Sequence, residues 1–296
     1  VVIFEALHEA GGVLRYGIPE FRLPKRVVKA EVDRVRRLGV EIKTNVVIGR
    51  SKAVEELFEE GFNSIFIATG AGLPNFFNIP GKNLCGIYSS NEFLIRINLM
   101  TGHGFPRKSA TPIKVLDRVT VVGAKGLDSA RCALRLGAKE VCVLYRQRIV
   151  GRVNGIRRAK EEGIKFYPFT KPLKFISDGK GWVKQIECIR LKPGPQTKSG
   201  KRRLVPVKGS EFLHDTDIAI VAVGQTPNTY IARLTPGIEI SEKTKTIIVN
   251  PETFETTRKG IFAGGDVASG AASVINAMVT GKRAAQSINQ YLLNGG

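Results

Sequence analysis

Residues Ile261, Phe262, Ala263, Gly264, Gly265 and Asp266 form a short apolar run that ends in two glycines and a carboxylate. Small residues follow, and a helix is expected from about residue 272. That pattern predicts a strand delivering an acid to the mouth of a helix with no side chains in the way. The glycines, Gly265 above all, let a ligand approach the backbone closely. The helix start at about Ala271 and Ala272 offers unpaired N–H groups and a positive dipole end. Asp266 can accept hydrogen bonds from ligand hydroxyls. Together these suit a flavin dinucleotide, whose ribityl chain carries hydroxyls. Alone, the run reads equally well as a tight turn with an Asp near a helix N-terminus.

A second strand–glycine–helix run spans residues 119–131, with Gly123 and Gly126 after four residues of apolar or β-branched type. The context suits phosphate binding at a helix N-terminus. The spacing is not G-x-G-x-x-G, because Gly123 and Gly126 enclose only Ala124 and Lys125. Lys125 contacts a phosphate or is a turn lysine. After the next strand come Arg146 and Arg148, at the position where a nicotinamide site chooses between NAD and NADP. Two arginines there favour a 2′-phosphate through charge-assisted contacts, or are solvated loop cations. Glu5 ends a strand and precedes Gly11 and Gly12, where a dinucleotide fold keeps an acid for the adenosine ribose. Thr69 with Gly70, and Gly224 with the residues after it, place small groups after buried strands where a ligand or another domain packs.

Other chemistry is thinly represented. His8, His103 and His214 are scattered. The carboxylate pairs 55–56, 59–60 and 161–162 read as solvated helix faces. No Ser–His–Asp arrangement and no metal-ligand spacing appears. A lack of acid–base machinery fits hydride and electron transfer, where a cofactor carries the chemistry. Cys85, Cys132, Cys142 and Cys188 form no C-x-x-C pair. Cys132 and Cys142 read as core thiols, consistent with a reducing, cytoplasmic setting.

The elements that must position these residues alternate. Strands are expected at residues 1–5, 40–44, 64–69, 118–122, 140–145, 164–167 and 217–223. Helices are expected at 26–38, 55–60, 91–100, 127–136, 154–162 and 272–293. An antiparallel insertion is expected at 174–176, 183–191 and 203–207. Alternation of this kind predicts an α/β chain with nucleotide sites at strand C-termini. The 296 residues, 43% of them hydrophobic, are enough for one large or two ordinary domains. No apolar run approaches a membrane span. The charge is 46 − 26 = +20. Its spread along helices, with little aromatic interleaving at residues 198–203, favours a solvated surface or an acidic protein partner over nucleic acid. A chain opening inside a strand implies something N-terminal to it.

The run from Glu9 to Lys25 contains the pattern G-G-x-L-x-x-G-I-P-x-F-R-L-P-K. It resembles the glutamate synthase small (beta) subunit family, which includes flavin subunits of NADH-dependent ferredoxin:NADP oxidoreductase and sulfide dehydrogenase. Residues 68–71, 91–94, 223–228 and 262–266 fit the same family in the same order. The resemblance implies two Rossmann-like domains, an NAD(P)H domain inserted into an incomplete FAD domain. The implied FAD parts are 1–112 and 231–296, and the NAD(P)H domain, with the antiparallel insertion, is 113–230. It implies FAD, with NADPH or NADH, and electron transfer to an iron–sulfur or large glutamate-synthase-type subunit, or to ferredoxin. No nucleic acid or membrane partner is implied, and a homo-oligomer is allowed.

Carried over by position, Glu5 would hold the FAD ribose, and Gly12, Leu14 and Arg22 would line the flavin. Thr69 and Gly70 would abut the FAD, with Gly265, Asp266 and Ala272 at its ribityl–phosphate region. Gly123 and Gly126 would border the nicotinamide cofactor, whose 2′-phosphate would meet Arg146 and Arg148, and Gly224 is a further cofactor-binding candidate. The family's iron–sulfur segment, first FAD strand and G-x-G-x-x-G loop are not in the sequence. The loop at 123–128 is about two residues shorter than the family's. Residues 149–153 replace its acidic stretch. A chain complete as it stands is expected to bind FAD weakly, and a structural subunit without tightly held FAD is the alternative function.

Overall fold

A computed structural model describes residues 1–101, 113, 117–147, 153–196 and 202–295. The elements follow the expected alternation. First come β1 (Val2–Phe4), α1 (Gly12–Tyr16), α2 (Lys25–Arg37), β2 (Glu41–Lys43), α3 (Val54–Glu59) and β3 (Ile65–Ile67). Then follow β4 (Leu73–Pro74), β5 (Ile87–Ser89), α4 (Ser90–Asn98), β6 (Arg118–Val122), α5 (Leu127–Arg135), β7 (Glu140–Leu144), α6 (Val153–Glu161) and β8 (Lys165–Tyr167). Three long strands come next, β9 (Thr170–Ser177), β10 (Val183–Gln196) and β11 (Arg202–Asp215). The chain closes with β12 (Ile218–Val221), β13 (Gln225–Thr226), α7 (Tyr230–Arg233), β14 (Ile261–Ala263), α8 (Asp266–Ser269) and α9 (Val274–Leu293).

These residues gather into two compact units. The first holds Val1–Ala10, Ala30–Leu73 and Gln225–Gly296, and the second holds Gly11–Lys29 and Pro74–Gly224. Residues 11–29 and 74–101, grouped with the FAD domain in the sequence, thus gather with the second unit. Its centre is a parallel sheet in the order β5-β12-β6-β7-β8. Period-2 alternation sends side chains to opposite faces of these strands. Val119, Val121, Val141, Val143, Ile218 and Ile220 meet Phe93, Leu94, Ala130, Ala133 and Ala159 of the helices. On the other face Val122, Cys142, Leu144, Ala219 and Val221 meet Phe175, Val183, Ile186 and Cys188. The latter group comes from the antiparallel sheet β11-β10-β9. That sheet is the expected insertion, with strands several residues longer than the sequence pattern gives. Its β10 and β11 run out over polar residues, where no hydrophobic alternation marks a boundary.

The first unit pairs β1 with β2 and β14 with β3, both in parallel. Its core is Val54, Ile67, Ile231, Ile238, Ile247, Ile261, Ala263 and Val267. The C-terminal helix differs from the expectation. A one-turn helix, α8, follows Gly265 directly, and α9 starts only at Val274, where the Ser273 hydroxyl caps the Asn276 N–H. Gly270 at φ +77° breaks the path between them, a conformation that a Cβ disfavours. The single-turn helix α1, after Gly11 at φ +124°, has no counterpart in the sequence reading. No helix among the described residues is long and apolar enough to cross a membrane.

Ile220 is fully buried between two layers, whereas Leu213 at the end of β11 is 56% exposed. Ile220→Ala should lower the unfolding free energy by about 2–5 kcal/mol, with Leu213→Ala within about 0.5 kcal/mol of wild type, in urea titrations.

Candidate functional site: two glycine-lined strand ends

In the second unit, β6 ends at Val122 and the chain turns through Gly123 into a short 3-10 turn, Ala124–Gly126, that feeds α5. The turn lies tight against the end of the neighbouring strand. A Cβ on Gly123 would stand 2.3 Å from the Ala222 carbonyl oxygen, and φ there is +118°. A Cβ on Gly126 would stand 2.3 Å from the Val121 side chain and 2.7 Å from that of Ala222. The Gly123 N–H donates to the Leu144 carbonyl at 2.8 Å, tying the turn to the end of β7. Arg146, exposed, follows two residues later. Gly224, at φ +121°, follows β12, and its carbonyl accepts the Asn75 N–H at 3.0 Å. The ends of β6, β7 and β12 thus bring Gly123, Gly126, Arg146 and Gly224 to the C-terminal edge of one parallel sheet. Arg148 lies outside the described residues.

Residues 18–24 lie along α5 in the same unit. Arg22 Nη1 donates to Asp128 Oδ2 at 2.5 Å, in the first turn of α5. The Phe21 ring stands 4.3 Å from the Arg131 guanidinium and 4.2 Å from that of Arg135. Both arginines also grip Glu162. Arg131 donates to its two oxygens at 3.0 and 2.6 Å, and Arg135 does so at 2.9 and 2.9 Å. Hydrogen bonds from Arg135 and then Arg131 hold the Glu162 carboxyl down to about 2. Glu162 therefore departs from the solvated face expected of the 161–162 pair. Its partners lie 27 and 31 residues away, beyond any local pattern. Gly12 opens α1, and the Leu14 carbonyl accepts the Lys25 ammonium at 3.1 Å.

In the first unit, β3 and β14 run side by side, with Ala263 opposite Ile67. The Gly264 N–H donates to the Ile67 carbonyl at 3.2 Å. The exposed Thr69 and the turn at Gly70, φ +69°, therefore leave the sheet beside Gly264 and Gly265. A Cβ on Gly264 would stand 2.9 Å from the Phe66 ring, and nothing lies within 4 Å of one on Gly70. The Gly265 N–H donates to Thr280 Oγ1 at 2.9 Å. Asp266 Oδ1 accepts the Ala272 N–H at 3.1 Å, so this acid orders the loop that leads into α9. The Glu5 carboxylate accepts the Leu7 N–H at 2.9 Å.

Thr280, Phe21, Arg131 and Arg135 were given no role from the sequence, since each acts through partners distant along the chain. His214 does not stand alone either. Its Nε2 is 3.0 Å from Cys142 Sγ and 3.1 Å from Thr120 Oγ1. Burial lowers the His214 pKa and pushes the Cys142 thiol up to about 11. Burial likewise pushes Cys132 and Cys188 up to about 12, which marks all three as core thiols rather than nucleophiles. Among the described residues no group of three or more His, Cys, Asp or Glu is placed to hold a metal ion.

The profile of the family described as pyridine nucleotide-disulphide oxidoreductase matches residues 8–281. The chain belongs to that family. It is 37% identical over 302 residues to the "NADP(+)-dependent formate dehydrogenase subunit beta" of Moorella thermoacetica, covering 100% of this chain and 41% of that protein. It is 32% identical to the glutamate synthase (NADPH) small chain of Halomonas elongata, covering 98% of this chain and 62% of the relative. For the small chain of Escherichia coli the identity is 30%, with 98% and 63% covered. The chain thus spans between two-fifths and two-thirds of these relatives. The fold matches that of Mycobacterium tuberculosis FprA in complex with NADPH, with a TM-score of 0.77, 18% identity and 99% and 78% of the two chains covered. It also matches T. acidophilum thioredoxin reductase, with a TM-score of 0.69, 18% identity and 99% and 90% covered.

Gly126→Ala should lower stability by about 1–3 kcal/mol, because the backbone-proximal atoms of Val121 and Ala222 cannot withdraw without repacking; denaturant midpoints would check this. Glu162 has a depressed folded pKa, so its contribution is present above the unfolded value near 4.5 and is lost as pH falls toward 2. Melting temperatures measured from pH 6 to pH 3 should fall more steeply for wild type than for Glu162→Gln.

Proposed function

We propose that this chain is the dinucleotide-binding portion of an NADPH-oxidising flavoprotein subunit of the glutamate synthase small-chain type. In this reading the second unit takes the pyridine nucleotide and the first takes FAD. The observation that carries it is the Gly123–Gly126 turn at the mouth of α5, where the Ala222 carbonyl fills the space of a side chain at Gly123 and the Val121 and Ala222 side chains fill it at Gly126. Such a turn brings N–H groups and a helix N-terminus to a pyrophosphate. Arg146 stands where a 2′-phosphate would meet it.

The first unit fits a flavin dinucleotide at the paired ends of β3 and β14. Gly70 leaves open space, Gly265 adopts a left-handed turn, and Asp266 retains acceptor capacity beyond its bond to Ala272. Thr69, Gly70, Gly265, Asp266 and Ala272 would hold that group, with Glu5 at the adenosine ribose. When bound, the nicotinamide and flavin supply hydride and single-electron chemistry, and the chain supplies binding, orientation and electrostatics. None of the residues at either strand end is needed as a proton donor or acceptor. Electrons would leave to an iron–sulfur or large glutamate-synthase-type subunit, or to a ferredoxin, for which a chain of net charge +20 offers a complementary surface to acidic proteins.

The purified chain supplied with FAD should retain a yellow species after desalting, with absorption near ~450 nm that bleaches on adding NADPH under argon. Retention of FAD without bleaching would leave a flavin-binding subunit that does not accept hydride. Loss of all colour would favour a structural role.

A further inference from the structure

The first turn of α5 carries a charge of the wrong sign for the ligand proposed there. Asp128 lies two residues after Gly126, and an acid in the first turn stabilises the helix through its dipole. The same carboxylate repels a pyrophosphate approaching the turn. We propose that Arg22 is a positioning residue for the pyridine nucleotide, cancelling the Asp128 charge so that the Gly123–Gly126 turn accepts a dinucleotide. This inference rests on the reading that the second unit binds a pyridine nucleotide.

Three observations support it. The Arg22–Asp128 bond is short at 2.5 Å and reaches across 106 residues of sequence, so a tertiary contact places the guanidinium on this acid. Arg22 is 53% exposed, and so open an ion pair adds little to folding stability. Its consequence therefore lies in the charge presented at the turn. The segment that carries Arg22 is also anchored without it. Phe21 is held between Arg131 and Arg135, and the Lys25 ammonium donates to the carbonyls of Leu14 and Ile18. Arg22 can be removed with its neighbours still in place. The guanidiniums of Arg131 and Arg135 lie farther along the helix and are engaged by Glu162, so they do not substitute for it.

The test is isothermal titration of NADP+ into the full chain for wild type, Arg22→Ala, Arg22→Lys, Asp128→Asn and the Arg22→Ala/Asp128→Asn double variant. Arg22→Ala should weaken binding by about tenfold, the scale of one uncompensated charge near a pyrophosphate at an effective dielectric of about 20. Raising the salt concentration should shrink that defect, since the repulsion is screened. Arg22→Lys should retain most of the affinity, and Asp128→Asn should bind more tightly than wild type. The double variant should return to within about threefold of wild type, because the charge and its counter-charge are removed together. Thermal midpoints should stay within about 2 °C across the set, which separates a charge effect from unfolding. Wild-type affinity in Arg22→Ala, or a double variant as weak as Arg22→Ala alone, overturns the inference and leaves the proposed function standing. A wild-type chain that binds no NADP+ overturns both.

Discussion

At the end of β6 there is no room for a Cβ, and much of the second unit is arranged around that fact. Gly123 and Gly126 bring their backbone within side-chain distance of Val121 and Ala222. That approach lets α5 start at the sheet edge instead of a turn later, and its N-terminal N–H groups then face the position where strand C-termini in open α/β sheets receive ligands. The parallel order β5-β12-β6-β7-β8 supplies the neighbours that make the approach tight. The three layers of helices, parallel sheet and antiparallel sheet hold those neighbours rigid. Gly126 performs the close packing against Val121 and Ala222.

Around that turn the chain has assembled a charged network rather than catalytic acids and bases. Glu162 joins Arg131 and Arg135, these two flank Phe21, and Arg22 meets Asp128. The partly exposed Phe21 ring against two guanidiniums and the Arg22–Asp128 bond hold this segment on α5. Stacking of a guanidinium on a ring keeps its N–H edge available for a carboxylate. This is how each arginine serves Phe21 and Glu162 together. Cys142, Cys188 and His214 belong instead to the core between the two sheets, and Cys132 to the core under α5.

The first unit uses glycine differently. There the two parallel strands β3 and β14 end on turns, open at Gly70 and closed by the Phe66 ring at Gly264, and the adjacent acid is spent partly on its own loop. An Asp that bonds a backbone N–H of the following loop has a fixed rotamer, and its remaining lone pairs have fixed directions. Order of this kind gives a ligand hydroxyl a preformed acceptor without the entropy of arranging one.

The residues by themselves determined the α/β alternation, the buried strands and the two strand–glycine–helix turns. These depend on local propensity and on periods of 2 and 3.6, which are written along the chain. The G-G-x-L-x-x-G-I-P-x-F-R-L-P-K run carried the family resemblance, and the match over residues 8–281 shows the family. Tertiary structure alone decided where that run goes. Its Phe21 and Arg22 find partners more than 100 residues away, and no local pattern records such a distance. The same holds for Glu162, a solvated helix acid by its sequence and a hub by its position. The late start of α9 was decided by Gly270 and the Ser273 cap, a competition between turn and helix that small residues such as Ala271 and Ala272 leave open. Local forces set which elements form, while contacts between distant residues set which charges meet.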